Sequence, residues 1–444
     1  MKPDKRKTTL NRLAQTLRND TRHLACSLAE LAELPFRETE SSAAVASFLE
    51  NNGFVVDFAY PNVPTAFRAT RGSGKPVIGI LGEYDALPDC GPRPGTPGHG
   101  CGHNLLGTGA AMGAVMAAAL LEKADLPGTV VYYGCPAEEA TGGKAFMARD
   151  GAFAELDACL SWHPATSISG NYGGGSALDS VSYTFGGKTA HGSFAHGGRS
   201  ALDAAILFDV AVNYLREHVP EQVRIHSVIV DGGNAPNVVP ARARSWYYIR
   251  GIDRTMVDDV RRRVDLCARA AASATETTVH IHRLTALYNR LVNDRLFDVV
   301  LENLELFGRL RVTADDRKRA AGEGLEADID TTVHQAKGDP GRASTDDDTV
   351  SWLTPLGSFR MITHWPGTQG HHRQLARQVT WPLALRGMEQ AAKVFASTVV
   401  HLCGDPQVLR EVRREFKKRT RGFTFDPLIS KKQTVDELIE LESR

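Results

Sequence analysis

The sequence has no excess of charge of either sign: its 444 residues carry 52 basic and 52 acidic side chains. That balance gives no electrostatic reason to expect nucleic acid or an anionic membrane as a partner. Paired cysteine spacing is also missing. Cys26, Cys90, Cys101, Cys135, Cys159, Cys267 and Cys403 are scattered and odd in number, in a chain long enough to do without disulfide staples, which points to a reducing, cytoplasmic setting. The basic opening MKPDKRKTTLNRLAQTL leads into no apolar run with a small-residue cleavage site, so it does not read as a secretory signal. One apolar stretch, LLGTGAAMGAVMAAALL from Leu105 to Leu121, is slightly short for a membrane span, and its Ala and Gly content suits a buried core helix. There is no Walker loop, no GxGxxG after a strand and no internal repeat. Chemistry on a small molecule is what these absences leave open.

The chain is long for one hydrophobic core, so two domains are the default expectation. Apolar residues at helical spacing run from Thr9 to Leu34 and from Ser41 to Asn52. Short, nearly continuous apolar runs follow around Ile78 to Leu81, Val130 to Tyr133 and Ala158 to Trp162. Bounded by Gly and Pro and separated by helices, they predict central strands of a largely parallel sheet. From Leu178 the pattern becomes alternating, with a helical segment from Ser200, which predicts a sheet covered on one face; this texture persists to about Val292. Residues 311–348, rich in Asp, Arg and Gly, predict a loop or lid, and apolar patterns then resume. The expected organisation is a catalytic domain from 1–177 and 293–444, interrupted by an inserted module at 178–292.

Polar groups stand where the predicted strands end. Glu83 and Asp85 follow the first run, Glu138 and Glu139 the second, and His163 the third. In open α/β sheets ligands bind at the carboxyl ends of strands, so these groups converge on one edge. Adding Cys101, His103 and the late His371 gives a thiolate, imidazoles and carboxylates, the donors of a divalent transition metal. The set exceeds one tetrahedral site, and two ions sharing a bridging ligand account for the surplus. Neighbouring Glu138 and Glu139 point different ways from an extended segment, so one can ligate while the other handles the proton of an activated water. His99, His196, His364 and His372 have no such context and are expected to be structural.

The blocks GEYDALP, GHGCGHNLLGTGA, PAEEATGGKAFM, WHP, TAHGSFAHGGRSALDA, GGNAPNVVP, STDDDTVSW and GTQGHHRQ occur in this order. In them the chain resembles the M20 metallopeptidase/amidohydrolase family, most of all its aminoacylase-type branch, from about residue 25 to 425. The resemblance implies a zinc-peptidase-like α/β catalytic domain with a mostly parallel sheet, carrying an inserted α+β lid domain through which two subunits pair. It implies Cys101 as the metal bridge, His103, Glu139, His163 and His371 as further ligands, and Glu138 as general acid/base. Asp85 sits where the family orients the metal loop. His191 matches a lid histidine that reaches the partner subunit's site and steadies the oxyanion, while Asn237 and Arg250 match the pair that holds a substrate carboxylate.

These matches imply a homodimeric hydrolase with two divalent ions per subunit, Zn2+ or Mn2+ with Co2+ or Ni2+ compatible. It would cleave the amide C–N bond of an N-acyl amino acid, an aminobenzoyl-glutamate or a dipeptide-like substrate. Hydrolytic deamination of an aromatic amino acid-like compound needs the same groups, and a non-catalytic metal-dependent binding subunit is the reading from another class. Glu138 argues against the last, since a mere binding site needs no spare carboxylate. Three departures stand out: a lid loop, HGSFAHGGR, one residue short, Thr349 in place of Asp, and Arg373 in place of an aromatic.

Overall fold

The computed structural model describes residues 3–60, 62–140, 142–172, 175–325, 328–338 and 343–442. Its elements divide into two compact units, Met1–Gly173 with Leu291–Pro340 and Thr349–Asp426, and Gly174–Arg290 with Gly341–Asp348 and Pro427–Arg444. The short segments from 341 and 427, which the sequence pattern assigns to the larger domain, group with the inserted unit.

The first unit is built on an eight-stranded sheet ordered β1-β2-β4-β3-β5-β12-β6-β11. Its strands are β1 (Val55–Asp57), β2 (Phe67–Ser73), β3 (Val77–Glu83), β4 (Gly128–Cys135), β5 (Ala158–Ala165), β6 (Ile168–Gly170), β11 (Val333–His334) and β12 (Leu356–Ile362). The central run β4-β3-β5-β12 is parallel, whereas β1, β2 and the β12–β6 pair are antiparallel. The near-continuous burial of β3, β4 and β5 explains their unbroken apolar sequence.

Helices α1 (Pro3–Leu31) and α2 (Thr39–Asn51) open the chain, and α3 (His103–Ala124) holds the Ala/Gly-rich run. This helix passes the length and hydropathy test for a membrane span, but 94% of the relevant window is buried inside the protein. Small residues are needed because neighbours press in on every side: a Cβ at Gly107 would lie 2.4 Å from the Glu83 carbonyl oxygen, and one at Gly113 2.8 Å from the Phe395 Cβ. α3 is therefore a core helix, wedged between the sheet and the helix Pro382–Gly404.

Part of the 311–348 region is ordered rather than loop, because the helix Ala314–Gly322 forms there. A capping box starts it: the Asp316 amide donates to Thr313 Oγ at 3.2 Å, and the Thr313 amide donates to Asp316 Oδ2 at 2.7 Å. The polar composition hid a locally capped helix with few buried residues.

The second unit is a four-stranded antiparallel sheet ordered β10-β7-β9-β8, from β7 (Ala177–Gly186), β8 (Arg224–Asp231), β9 (Arg242–Gly251) and β10 (Thr278–Leu287). The helices Ala201–Leu215 and Arg254–Ala274 pack on one face through Phe208, Val212, Val257 and Val264. The other face is not simply solvated as the alternation predicts. The chain's end returns to it, with Gln433 donating to the Arg283 carbonyl at 3.0 Å and Glu437 accepting from Arg244 and His282. β7 is accordingly buried on both faces.

Candidate metal centre

Three loops leaving the parallel strands, with the end of β5, build one cluster. After β3 the chain places Asp85. Glu138 and Glu139 follow β4 through Ala137, whose φ of 56° turns the backbone sharply. β5 contributes His163, and the loop after β12 contributes His371. Between Asp85 and α3 runs the loop with Cys101, and left-handed Gly102 (φ 83°) sets His103 on the first turn of the helix. A Cβ at Gly100 would lie 2.8 Å from Cys90 Sγ, and the Gly100 carbonyl accepts from the His371 amide at 2.9 Å, which ties the last loop to the first.

The donor atoms fall into overlapping triads, each with its donor atoms within 4.8 Å of one another: Cys101 with His103 and His163, Cys101 with Glu139 and His371, and Glu83 with His103 and Glu138. Cys101 is common to the first two. Its Sγ lies 3.4 Å from His163 Nε2, and Glu139 Oε2 lies 3.5 Å from His371 Nε2. Glu138 Oε2 stands beside this group, 4.0 Å from His103 Nε2.

Hydrogen bonds fix which nitrogen each imidazole offers. His163 Nδ1 donates to the Pro164 carbonyl at 2.7 Å, and burial pushes this histidine down to about 3, so it is neutral with Nε2 facing Cys101. His103 Nδ1 donates to Asp85 Oδ1 at 2.7 Å. Burial opposes charge on His103, yet Asp85 and Cys101 outweigh it and raise its basicity well above that of free histidine. Asp85 in turn stays below the usual carboxylate range, because His103 and the Glu139 amide, donating at 2.9 Å, overcome the cost of its burial. Asp85 thus ties the His103 ring to the Glu139 backbone, one carboxylate oxygen on each.

Burial and the nearby Glu139 carboxylate push the Cys101 thiol up, and burial raises Glu139 as well. The protein alone therefore disfavours the anions that its donor set calls for. Buried His103 Nε2 and Glu139 Oε1, 3.9 Å apart, also make no well-formed hydrogen bond. A divalent cation resolves both, supplying positive charge to hold a thiolate and a partner for each orphaned atom. The residues present fit divalent metal binding, and Cys101 would serve either of the triads it joins.

Glu83 is the residue to which the sequence pattern gives no role here. Its Oε2 lies 3.3 Å from His103 Nε2, and its Oε1 accepts from the fully buried Lys144 at 2.6 Å. β-alternation held the signal, since Glu83 and Asp85 are two apart at a strand end and Lys144 sits in the same block as Glu138. Of the histidines set apart from the metal set, His99 bridges the Leu28 carbonyl and the Asn104 amide, and His372 caps the short helix Arg373–Gln378.

The second unit carries the other three predicted residues. The His191 and Asn237 segments are joined through backbone, the Gly192 amide donating to the Asn237 carbonyl at 2.7 Å, and both side chains are exposed. Arg250, on β9, donates to Ser344 Oγ at 3.3 Å and lies over the Tyr248 ring.

Residues 176–276 match the model of a peptidase dimerisation domain of the M20 family. Over 433 residues the chain is 36% identical to a p-aminobenzoyl-glutamate hydrolase subunit of Escherichia coli (strain K12), covering 87% of this chain and 90% of that protein. It is 29% identical over 411 residues to a Homo sapiens Xaa-Arg dipeptidase, with 88% of each chain covered. A Bacillus subtilis crystal structure, described as a dinuclear metal-binding peptidase from the M20 family, superposes with a TM-score of 0.59 at 19% identity, covering 88% of this chain and 99% of that one. That likeness is one of fold.

Proposed function

The chain belongs to the M20 family of metallopeptidases and amidohydrolases, and on that premise we propose that it is a binuclear metal-dependent hydrolase of a small amide bearing a free carboxylate. The observation that carries this reading is the pair of ligand triads sharing Cys101, with Glu138 beside them. Aminobenzoyl-glutamate and dipeptide-like compounds are the substrate classes that the relatives' names support.

Cys101, His103 and His163 would hold one ion, and Cys101, Glu139 and His371 the other. The thiolate favours Zn2+, with Mn2+, Co2+ or Ni2+ compatible with the imidazole and carboxylate donors. When bound, such ions polarise the scissile carbonyl and acidify water. Glu138 takes the proton from the attacking water and delivers it to the leaving amine nitrogen. Asp85 keeps His103 in the tautomer that presents Nε2. In the second unit His191 would donate to the oxyanion in the partner subunit's site, and Asn237 and Arg250 would grip the substrate carboxylate, for which a guanidinium fork is well shaped.

The family's pairing fits a surface of the second unit. β8 is an edge strand, with Val228 52% and Ile229 44% exposed, and the helix Ala201–Leu215 exposes Ile206, Leu207, Val210 and Tyr214. An apolar edge of this kind is costly to leave in water, and a second copy of this chain would cover it.

The test is Glu138→Gln on metal-loaded protein, assayed against N-acyl amino acids, dipeptides and aminobenzoyl-glutamate. General acid–base loss predicts a fall in kcat of about two to four orders of magnitude with metal content unchanged. Undiminished turnover would refute the mechanism, and no turnover by the wild type across the panel would favour a metal-dependent binding protein.

A further inference from the structure

One row of side chains beside the metal centre has no part in the chemistry above. In the β5–β12 ladder Arg360 is the direct register partner of His163, and in the β12–β6 ladder it is the partner of Ser169. Register partners project from the same face, so His163, Arg360 and Ser169 form a line across three neighbouring strands. The next row on that face pairs Ser161 with Ser358, and Asn171 Nδ2 donates to Ser358 Oγ at 3.4 Å. The opposite face of the same strands is ordinary core, with Trp162 stacked on Phe359.

Arg360 breaks the burial pattern of its strand. β12 is an interior strand whose other residues are all buried, yet Arg360 is exposed at its centre. A guanidinium there gives up apolar packing that its neighbours keep. Ser161, 3% exposed, has a buried hydroxyl without a hydrogen-bond partner. A cation and an unused donor thus share one polar face, one strand spacing from a metal-ligand position.

We propose that Arg360, with Ser161 beside it, is an anion-recognition site that reads a second carboxylate on the substrate, making a dicarboxylate amide the preferred class. This rests on the hydrolase reading above, in which one carboxylate is already assigned to Asn237 and Arg250. The second would lie on the acyl side of the scissile bond, on the sheet face that carries His163. Arg360 is then a specificity residue: it binds charge remote from the reacting atoms.

The experiment compares glutaryl-glycine with butyryl-glycine, an acyl pair that differs by a terminal carboxylate, in the wild type, Arg360→Gln and Arg360→Lys, with melting temperature and metal content checked for each. The glutaryl-to-butyryl ratio of kcat/KM should fall about tenfold or more in Arg360→Gln, mainly through KM, and less in Arg360→Lys, which keeps the charge but loses the fork. A ratio unchanged in Arg360→Gln overturns the proposal. Calorimetric binding of glutarate against butyrate to the metal-loaded full chain separates this from failure of the hydrolase reading. If neither amide is cleaved, Arg360 still requires tighter glutarate binding that Arg360→Gln removes, and equal binding of the two acids would refute it.

Discussion

Cys101 shows at the scale of one residue how the site works against its own protein. Burial and Glu139 raise its thiol, so a cation at either triad would favour the thiolate that the surroundings alone disfavour. The sequence pattern points to Cys101, His103, Glu139, His163 and His371 because ligand chemistry is carried by residue type. Glu83 is placed at the same edge by its strand-end position, but no motif gives it a role; its contacts with Lys144 and His103 do. A different residue sets an acid limit on the fold. Burial pushes His364 down to about 4, so as pH falls from about 6.5 the unfolded chain takes up the proton first and stability is lost until pH passes below about 4. His364→Gln should flatten that limb, recovering about 3 kcal/mol of relative stability near pH 4 in urea unfolding compared with pH 7; an unchanged slope would show that His364 is already charged or solvated.

Among the elements, α3 couples core packing to the site. Its first residue is His103, and its glycines let the sheet and the helix Pro382–Gly404 close on it. Gly107→Ala would press a methyl group against the Glu83 carbonyl, two residues from Asp85. Overpacking of this kind costs about 1 to 3 kcal/mol, and a lower melting temperature together with weaker metal retention is the expected result. Full stability with normal metal content would show that the contact relaxes harmlessly. The strands are legible because buried parallel strands read as unbroken apolar runs. The helix Ala314–Gly322 is not, since it buries only Asp316 and Ala320 and owes its start to a cap within a polar stretch.

For the whole molecule, the break in sequence texture near Leu178 coincides with a change of sheet, but the return of 427–444 to the second unit is invisible in the sequence, because a short terminal segment has no periodicity to announce its partner. The second unit's apolar edge leads to a prediction about assembly. Val228→Glu combined with Val210→Glu should shift the protein from dimer to monomer in sedimentation, and turnover should fall with it if His191 acts in the partner's site; a fully active monomer would end that role. Whether two ions share one thiolate is decided by metal content, measured by mass spectrometry on dialysed wild type, Cys101→Ala and His371→Ala. About two ions per chain are expected in the wild type, none in Cys101→Ala and about one in His371→Ala. Two ions retained by Cys101→Ala, or none bound by the wild type, would contradict it.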